Sequence, residues 1–224
     1  MCVRDKRQLY IPLHVSDKDE CFSLDRYGGD ILAIGLYLFF FSLLVLQVSG
    51  LDGISASSGK PWDPILALII TLIVHEVLHA VPPILSGVGV RFGYARIGKL
   101  PVFYVGMKKP VSRNLYLLIA VSPLLSLHVI PLLSLAGLWK ATNLLKMIYV
   151  LNTIGSSGDI LMFLSALRLK SEEKVWDTGV GFEGCLPKPY SDRISLVIKA
   201  IAVILLLIII VNMALNVEII IVKE

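Results

Sequence analysis

The residue types best suited to chemistry occur in one short run, HEVLH at residues 75–79. On a helix, His75 and His79 lie about 40° apart around the axis and about 6 Å apart along it, so both imidazoles can reach one zinc ion. Glu76 is offset from His75 by about 100°, so it can contact a zinc-bound water without taking a ligand position. The glutamate can take a proton from that water and deliver it to a leaving amine. The run therefore predicts hydrolysis with Zn²⁺ as cofactor.

A catalytic zinc usually has three protein ligands, and the third is expected on another helix. The stretch Asn152–Asp159 places small and polar side chains at helical spacing on one face, with a carboxylate at its end. Counted from the ends of their apolar runs, Asp159 and His79 differ in depth by only about 3 Å. We therefore expect Asp159 as the third ligand. His128 is the competing candidate, but a lone histidine on an apolar helix is more often a hydrogen-bonded core residue.

The composition predicts that these residues lie within a membrane. Hydrophobic residues make up 56% of the 224 residues, charged residues only 17%, and mean hydropathy is +0.79. A soluble domain of this size could not bury so much apolar surface, which excludes a soluble enzyme, a disordered chain and a disulfide scaffold. Five apolar stretches approach or reach the roughly 20 residues that cross a bilayer: Ile31–Val48, Pro64–Leu85, Leu115–Leu138, Leu144–Leu167 and Ile194–Leu215.

Charge within and around these stretches carries two further predictions. Only two acids, Glu76 and Asp159, lie well inside a stretch, and burying an ionised acid without a strong reason is costly. The alternative to a metal site is a His-Glu pair satisfied by hydrogen bonds in a helix bundle. Of the 21 lysines and arginines, 17 fall on one side of the predicted membrane, which predicts a cytoplasmic N-terminus and active-site side. The net charge of +4 then needs no nucleic-acid partner.

The pattern predicts an all-α polytopic membrane protein with about five transmembrane helices and a small β-hairpin-like cytoplasmic or interfacial element. Residues 1–30 form a cytoplasmic N-terminal segment without the features of a signal peptide, and residues 218–224 form a C-terminal tail. Residues 31–217 form one transmembrane metalloprotease-like domain, with its core at 64–167 and cytoplasmic loops at 86–114 and 168–193. The first loop partly alternates apolar and polar residues over 89–106, which fits either a hairpin turning at Gly98-Lys99 or an irregular loop. Residues 174–189 are a candidate for another strand.

Cysteines and prolines add weaker signals. Cys2, Cys21 and Cys185 are widely spaced, form no CxxC pair and lie on the predicted cytoplasmic side, so we expect free thiols without function. Pro82 and Pro83 directly follow the HEVLH run. They mark either the end of its helix or a kink that opens the site toward cytoplasmic water.

On these residues the chain resembles the site-2 protease group of intramembrane zinc metalloproteases, and more closely the bacterial and archaeal membrane family of putative zincin peptidases. The matching residues are HEVLHA at 75–80, the stretch Asn152–Asp159, and one helix between them that carries Ser122-Pro123. The resemblance covers about residues 64–190 and implies zinc held by His75, His79 and Asp159, with Glu76 as the base. It also implies a prokaryotic cell membrane and an Asn152 that binds substrate backbone.

The chain departs from the site-2 group in three respects. Asn152 is followed by TIGSSG instead of a proline-containing stretch, and Asp159 is followed by Ile160 instead of glycine. The sequence also contains no PDZ-like domain. These departures concern substrate class and regulation, while the metal-binding residues match.

The sequence thus predicts an intramembrane zinc metalloprotease that cleaves peptide bonds of a membrane-anchored protein or peptide. The segment Leu100–Val105 could hold such a substrate as an added strand. One alternative is a metal-ion or proton transporter that uses the same residues as a relay. Against it, the ionisable groups cluster at one depth and leave no chain of sites across the membrane. The other alternative is a catalytically inactive zinc-binding membrane protein.

Overall fold

The structure is a computed structural model that describes residues 21–51, 60–97, 100–139, 141–179, 181–183 and 185–221. The predicted segment 1–30 lies largely outside these residues, as do Cys2, the turn at Gly98-Lys99 and the end of the predicted tail.

The fold is mostly helical with two small sheets. Its helices are α1 Gly28–Val48, α2 Asp63–Leu85, α3 Arg113–Leu127, α4 Val129–Leu135, α5 Asn143–Gly155, α6 Ser157–Leu167 and α7 Asp192–Ile221. Its strands are β1 Val90–Ile97, β2 Leu100–Met107, β3 Val111–Ser112, β4 Lys174–Asp177 and β5 Phe182–Glu183.

Among the described residues, four helical segments are long and apolar enough to cross a membrane: α1, α2, the α3–α4 pair and residues 192–213 of α7. The α5–α6 pair makes a fifth if its two helices, bent by 41°, count as one span. The sequence predicts the same five segments but treats the third and fourth as continuous. The structure divides the third at His128, where Pro131 leaves the Leu127 carbonyl without its helical partner. It divides the fourth at Ser156, whose hydroxyl donates back to the Asn152 carbonyl, a bond that favours bending.

Helix packing places α2 between α3 and α5, while α1 packs against α5, α6 and α7. Small residues allow close approach: the Cα of Gly35 in α1 faces Ile154 of α5, and an added Cβ would lie 3.5 Å from its side chain. The outward surfaces of α2 and α7 are apolar and exposed, as Ile69 and Ile204 illustrate. A broad exposed apolar surface of this kind is what a lipid-facing helix requires.

Helix α2 ends in a Schellman motif soon after the HEVLH run. The N–H of Val88 donates to the Pro83 carbonyl at 2.8 Å, and the N–H of Gly87 donates to the Ile84 carbonyl at 3.0 Å. Gly87 has φ +69°, the left-handed conformation that this cap needs. Pro82 and Pro83 therefore lie in the last turn of α2, and of the two interpretations open from the sequence, the helix end is the observed one.

The predicted hairpin is confirmed, because β1 and β2 pair antiparallel with Val90 opposite Met107 and Ile97 opposite Leu100. The predicted additional strand is also present, since β4 pairs with both β3 and β5. The two sheets are joined at one end: the Trp176 indole donates to the Met107 carbonyl at 3.0 Å. The Arg91 guanidinium likewise donates to the Thr178 carbonyl at 3.1 Å.

The expectation of free thiols is wrong for Cys21 and Cys185, which form a disulfide. The backbone brings the two segments side by side, because the N–H of Phe22 donates to the Leu186 carbonyl at 2.7 Å. A pairing across 164 positions has no local signal in the sequence. Disulfides persist mainly in oxidising compartments, so this bond lends no support to the predicted cytoplasmic side, and the orientation stays a prediction.

Candidate metal centre

Three side chains from two helices converge on one point. The Nε2 atoms of His75 and His79, both on α2, lie 3.2 Å apart. Asp159, in the first turn of α6, places Oδ2 3.1 Å from Nε2 of His75 and Oδ1 3.2 Å from Nε2 of His79. Within the described parts of the chain, this is the group of three such residues that could hold a metal ion.

The spacing of these atoms fits a tetrahedral zinc. Zinc–nitrogen and zinc–oxygen bonds of about 2.0–2.1 Å place neighbouring tetrahedral ligands about 3.3–3.4 Å apart. The two Nε2 atoms lie 3.2 Å apart, and each lies 3.1–3.2 Å from one of the two carboxylate oxygens of Asp159, slightly less than this value. Two imidazoles and one carboxylate leave the fourth position open, which is the arrangement of a catalytic zinc.

The hydrogen bonds on the far side of each ring fix its tautomer. Nδ1 of His75 lies 2.9 Å from Oδ1 of Asn152, and Nδ1 of His79 lies 2.8 Å from the Ile119 carbonyl oxygen. Both partners are acceptors, so each neutral ring carries its proton on Nδ1. The Nε2 lone pairs of His75 and His79 then point at each other and at Asp159.

Asp159 shows directly that a positive charge fits here. The residue is only 7% exposed, and its Oδ2 has no hydrogen-bond partner although an imidazole nitrogen lies 3.1 Å away. With both Nδ1 atoms protonated, that nitrogen is an acceptor and cannot donate. A buried carboxylate without donors is costly, and a cation would satisfy it together with the two largely buried imidazole acceptors. The donor set therefore fits zinc.

Glu76 lies beside this group without belonging to it. Its carboxylate is partly buried and faces the backbone N–H of Val105, which acts on it as a hydrogen-bond donor. Strand β2 therefore packs against α2 beside Glu76. The placement agrees with the sequence expectation that Glu76 stays outside the ligand set.

Asn152 is fully buried and uses both ends of its amide. Its Nδ2 donates to the Pro123 carbonyl at 2.8 Å, which turns its Oδ1 toward His75. The substrate-binding role expected for Asn152 stays a prediction, and the structure places the residue behind a metal ligand.

His128 lies away from the three ligands. Its Nε2 is 3.3 Å from the Tyr149 hydroxyl, and its ring contacts Phe41 and Tyr149. Its Nδ1 faces the Leu124 carbonyl. These contacts are those of a hydrogen-bonded core histidine.

Tyr116 and Asp177 lie near the centre, and no pattern in the sequence points to either of them. The Tyr116 hydroxyl donates to Oδ2 of Asp177 at 3.3 Å, and the N–H of Gly179 donates to Oδ1 at 2.7 Å. Burial raises the pKa of the Asp177 carboxyl, although both donors act in the opposite direction. Asp177 ends a short strand in an irregular segment, where spacing predicts no position in space.

Comparisons with known proteins agree with this geometry. Residues 68–173 match the model of a family described as "Putative zincin peptidase". The matched segment contains His75, Glu76, His79, Asn152 and Asp159. The match supports a zincin-like family and suggests a zinc metallopeptidase.

One curated relative and the solved structures complete the comparison. The chain is 28% identical over 203 residues to an uncharacterized 24.7 kDa protein in the gap 5' region of Pyrococcus woesei. That alignment covers 89% of each chain. No solved structure matches the chain.

Proposed function

We propose that this protein is an intramembrane zinc peptidase that cleaves membrane-anchored proteins or peptides. The observation that carries the proposal is the convergence of two Nε2 atoms and one buried carboxylate at 3.1–3.2 Å, with no donor among them. The match to the zincin-like family supports the peptidase class. The apolar, exposed helix surfaces support a site within the bilayer.

The proposed chemistry divides between the metal and Glu76. Zinc, held by His75, His79 and Asp159, would act as the Lewis acid that makes water a nucleophile near neutral pH. Glu76 receives the proton of the attacking water and passes it to the nitrogen of the leaving amine, so the proton balance closes within the site. The backbone N–H of Val105 faces the Glu76 carboxylate and would help to orient it for both transfers.

The free edge of β2 supports an extended substrate. Val105 directs its N–H at Glu76, and backbone groups alternate along a strand, so Phe103 presents its N–H at the same edge. Pro101 falls at this edge too, where its missing N–H interrupts no bond to β1. A substrate strand added here would carry its peptide bond past Glu76. If replacing Leu100–Val105 left cleavage unchanged, this part of the proposal would fail.

The decisive experiment compares Glu76→Gln with the wild type in reconstituted vesicles that contain a membrane-anchored model peptide. We expect cleavage to fall at least about a hundredfold, because the general base is lost. Zinc content should stay near that of the wild type, because Glu76 is outside the ligand group.

The control is Glu172→Gln, since Glu172 is fully exposed and accepts a hydrogen bond from its neighbour Ser171. It should retain both zinc and cleavage. Cleavage by Glu76→Gln at the wild-type rate would overturn the peptidase mechanism. Zinc binding without cleavage in the wild type would instead favour an inactive zinc-binding protein, and zinc flux across the vesicles would favour a transporter.

A further inference from the structure

Two prolines in the site helices each leave one backbone carbonyl without its helical partner. A proline has no N–H, so the carbonyl four residues earlier accepts no helical bond. Pro123 in α3 releases the Ile119 carbonyl in this way, and Pro82 in α2 releases that of Leu78. The two carbonyls lie where α2 and α3 pack together.

Both released carbonyls are used between the helices. The Ile119 carbonyl lies 2.8 Å from Nδ1 of His79. The Ser122 hydroxyl lies 2.8 Å from the Leu78 carbonyl and 2.8 Å from the Ile119 carbonyl, so its one proton can serve either. A carbonyl already bonded in a regular helix would be a weaker acceptor for the imidazole, because its partner N–H would compete.

Pro123 reaches the second histidine through its other backbone group. Its carbonyl accepts from Nδ2 of Asn152, and this bond turns Oδ1 of Asn152 toward Nδ1 of His75. Pro123 is buried with less than 2% of its surface exposed, so these contacts are closed to competing water. Pro123 is therefore connected to both imidazoles, to His79 through the released Ile119 carbonyl and to His75 through Asn152.

We propose that Pro123 is a positioning residue for the metal centre, holding the Nδ1–H tautomer of His79 through the released Ile119 carbonyl and that of His75 through Asn152. The inference rests on the proposed zinc site but concerns the orientation of its ligands, whatever reaction follows. Partners behind metal-bound histidines fix the tautomer and ring orientation, and their loss typically costs about 10–100-fold in metal affinity.

The test measures zinc affinity of the full-length, detergent-purified protein by competition with a chelator. Pro123→Ala supplies the missing N–H, which takes the Ile119 carbonyl from His79, and we expect zinc to bind roughly ten- to a hundredfold more weakly. The matched control is Pro131→Ala, because Pro131 is equally buried but releases the carbonyl of Leu127. The control should bind zinc within about threefold of the wild type.

A second measurement needs no variant that might fold poorly. The imidazole ¹⁵N spectrum of the zinc-loaded wild type should show the proton on Nδ1 and the metal on Nε2 for both His75 and His79. Metal on Nδ1 of His79, or wild-type affinity in Pro123→Ala, would overturn the inference. Neither result concerns cleavage, so the inference can fail while the peptidase proposal stands. A wild type that binds no zinc would instead remove the proposed function itself.

Discussion

Two buried carboxylates in this molecule have opposite surroundings. Asp30 in α1 is 1% exposed and meets three donors: the Tyr190 hydroxyl at 2.8 Å, the Ser195 hydroxyl at 3.0 Å and the Lys199 ammonium at 3.5 Å. Asp159 is nearly as buried, yet it meets two imidazole nitrogens that have no proton to give. The chain itself balances the charge of Asp30, whereas a bound cation would balance the charge of Asp159.

The difference separates a structural acid from a candidate metal ligand. The donors to Asp30 come from α7 and the residues just before it, so this cluster fastens the last helix to the first. The partners of Asp159 are instead fixed by bonds on their far sides, which leave their lone pairs pointing inward. Burial alone would not distinguish the two acids, but the direction of the neighbouring protons does.

Asp159→Asn tests this comparison with the largest expected effect, which is on zinc affinity. A neutral amide is a far weaker ligand than a carboxylate, so we expect at least about a hundredfold loss of zinc affinity. The metal-free protein should be no less stable than the wild type, because an uncompensated buried charge is removed. Metal analysis and thermal unfolding with and without chelator measure both quantities. Asp30→Asn is the control and should keep its zinc.

The next effect is on stability and concerns Asp30→Asn itself. The amide cannot accept from all three donors, so we expect the free energy of unfolding to fall by about 2–3 kcal/mol. For a chain of this size that loss lowers the Tm by roughly 5–10 °C. Asp192→Asn is a suitable comparison, since Asp192 is exposed and lies 3.8 Å from Arg26 in a loose ion pair. An unchanged Tm in Asp30→Asn would show that the three donors contribute little.

The smallest effect concerns Tyr190 and pH. Burial, and then the hydrogen bond to the charged Asp30, raises the pKa of the Tyr190 phenol. The protonated phenol is favoured in the folded state, so its contribution is complete below about pH 10, the pKa of an unperturbed tyrosine, and is lost as pH rises through the folded-state pKa.

Tyr190→Phe should therefore lower stability at neutral pH by about 1–2 kcal/mol and flatten the fall in stability above pH 10 or so. Unfolding curves at several pH values between neutral and alkaline would measure both the loss of stability and its dependence on pH. The same alkaline slope in both proteins would contradict the assignment.

The sequence predicts the convergence of His75, His79 and Asp159 because the relations that decide it are local. His75 and His79 are one helical turn apart, and the depth of Asp159 follows from its distance to the end of an apolar run. The Ile119 carbonyl carries no side-chain signal, although Pro123 four residues later marks it as free. Pro82 marks the carbonyl of Leu78 as free in the same way, because a proline leaves the carbonyl four residues earlier without its helical partner.

Other features depend on distant parts of the chain and could not be predicted. Asp30 stands at the start of an apolar stretch, where an acid usually favours the helix terminus and faces water. Its donors follow some 160 residues later. The break at Ser156 also went unpredicted, since its apolar run continues without interruption.

The bond between Cys21 and Cys185 limits how the chain can pass through a bilayer. Two cysteines can pair only on the same face, so the segment between them must cross an even number of times. Helices α1 and α2 and the α3–α4 pair, each long and apolar enough to span, would provide three crossings. In a bilayer, the bent α5–α6 pair must then provide the fourth crossing and cannot be a re-entrant loop. Helix α7 would be the fifth crossing. Asp159 would thus belong to a helix that passes through the membrane, just beyond its bend.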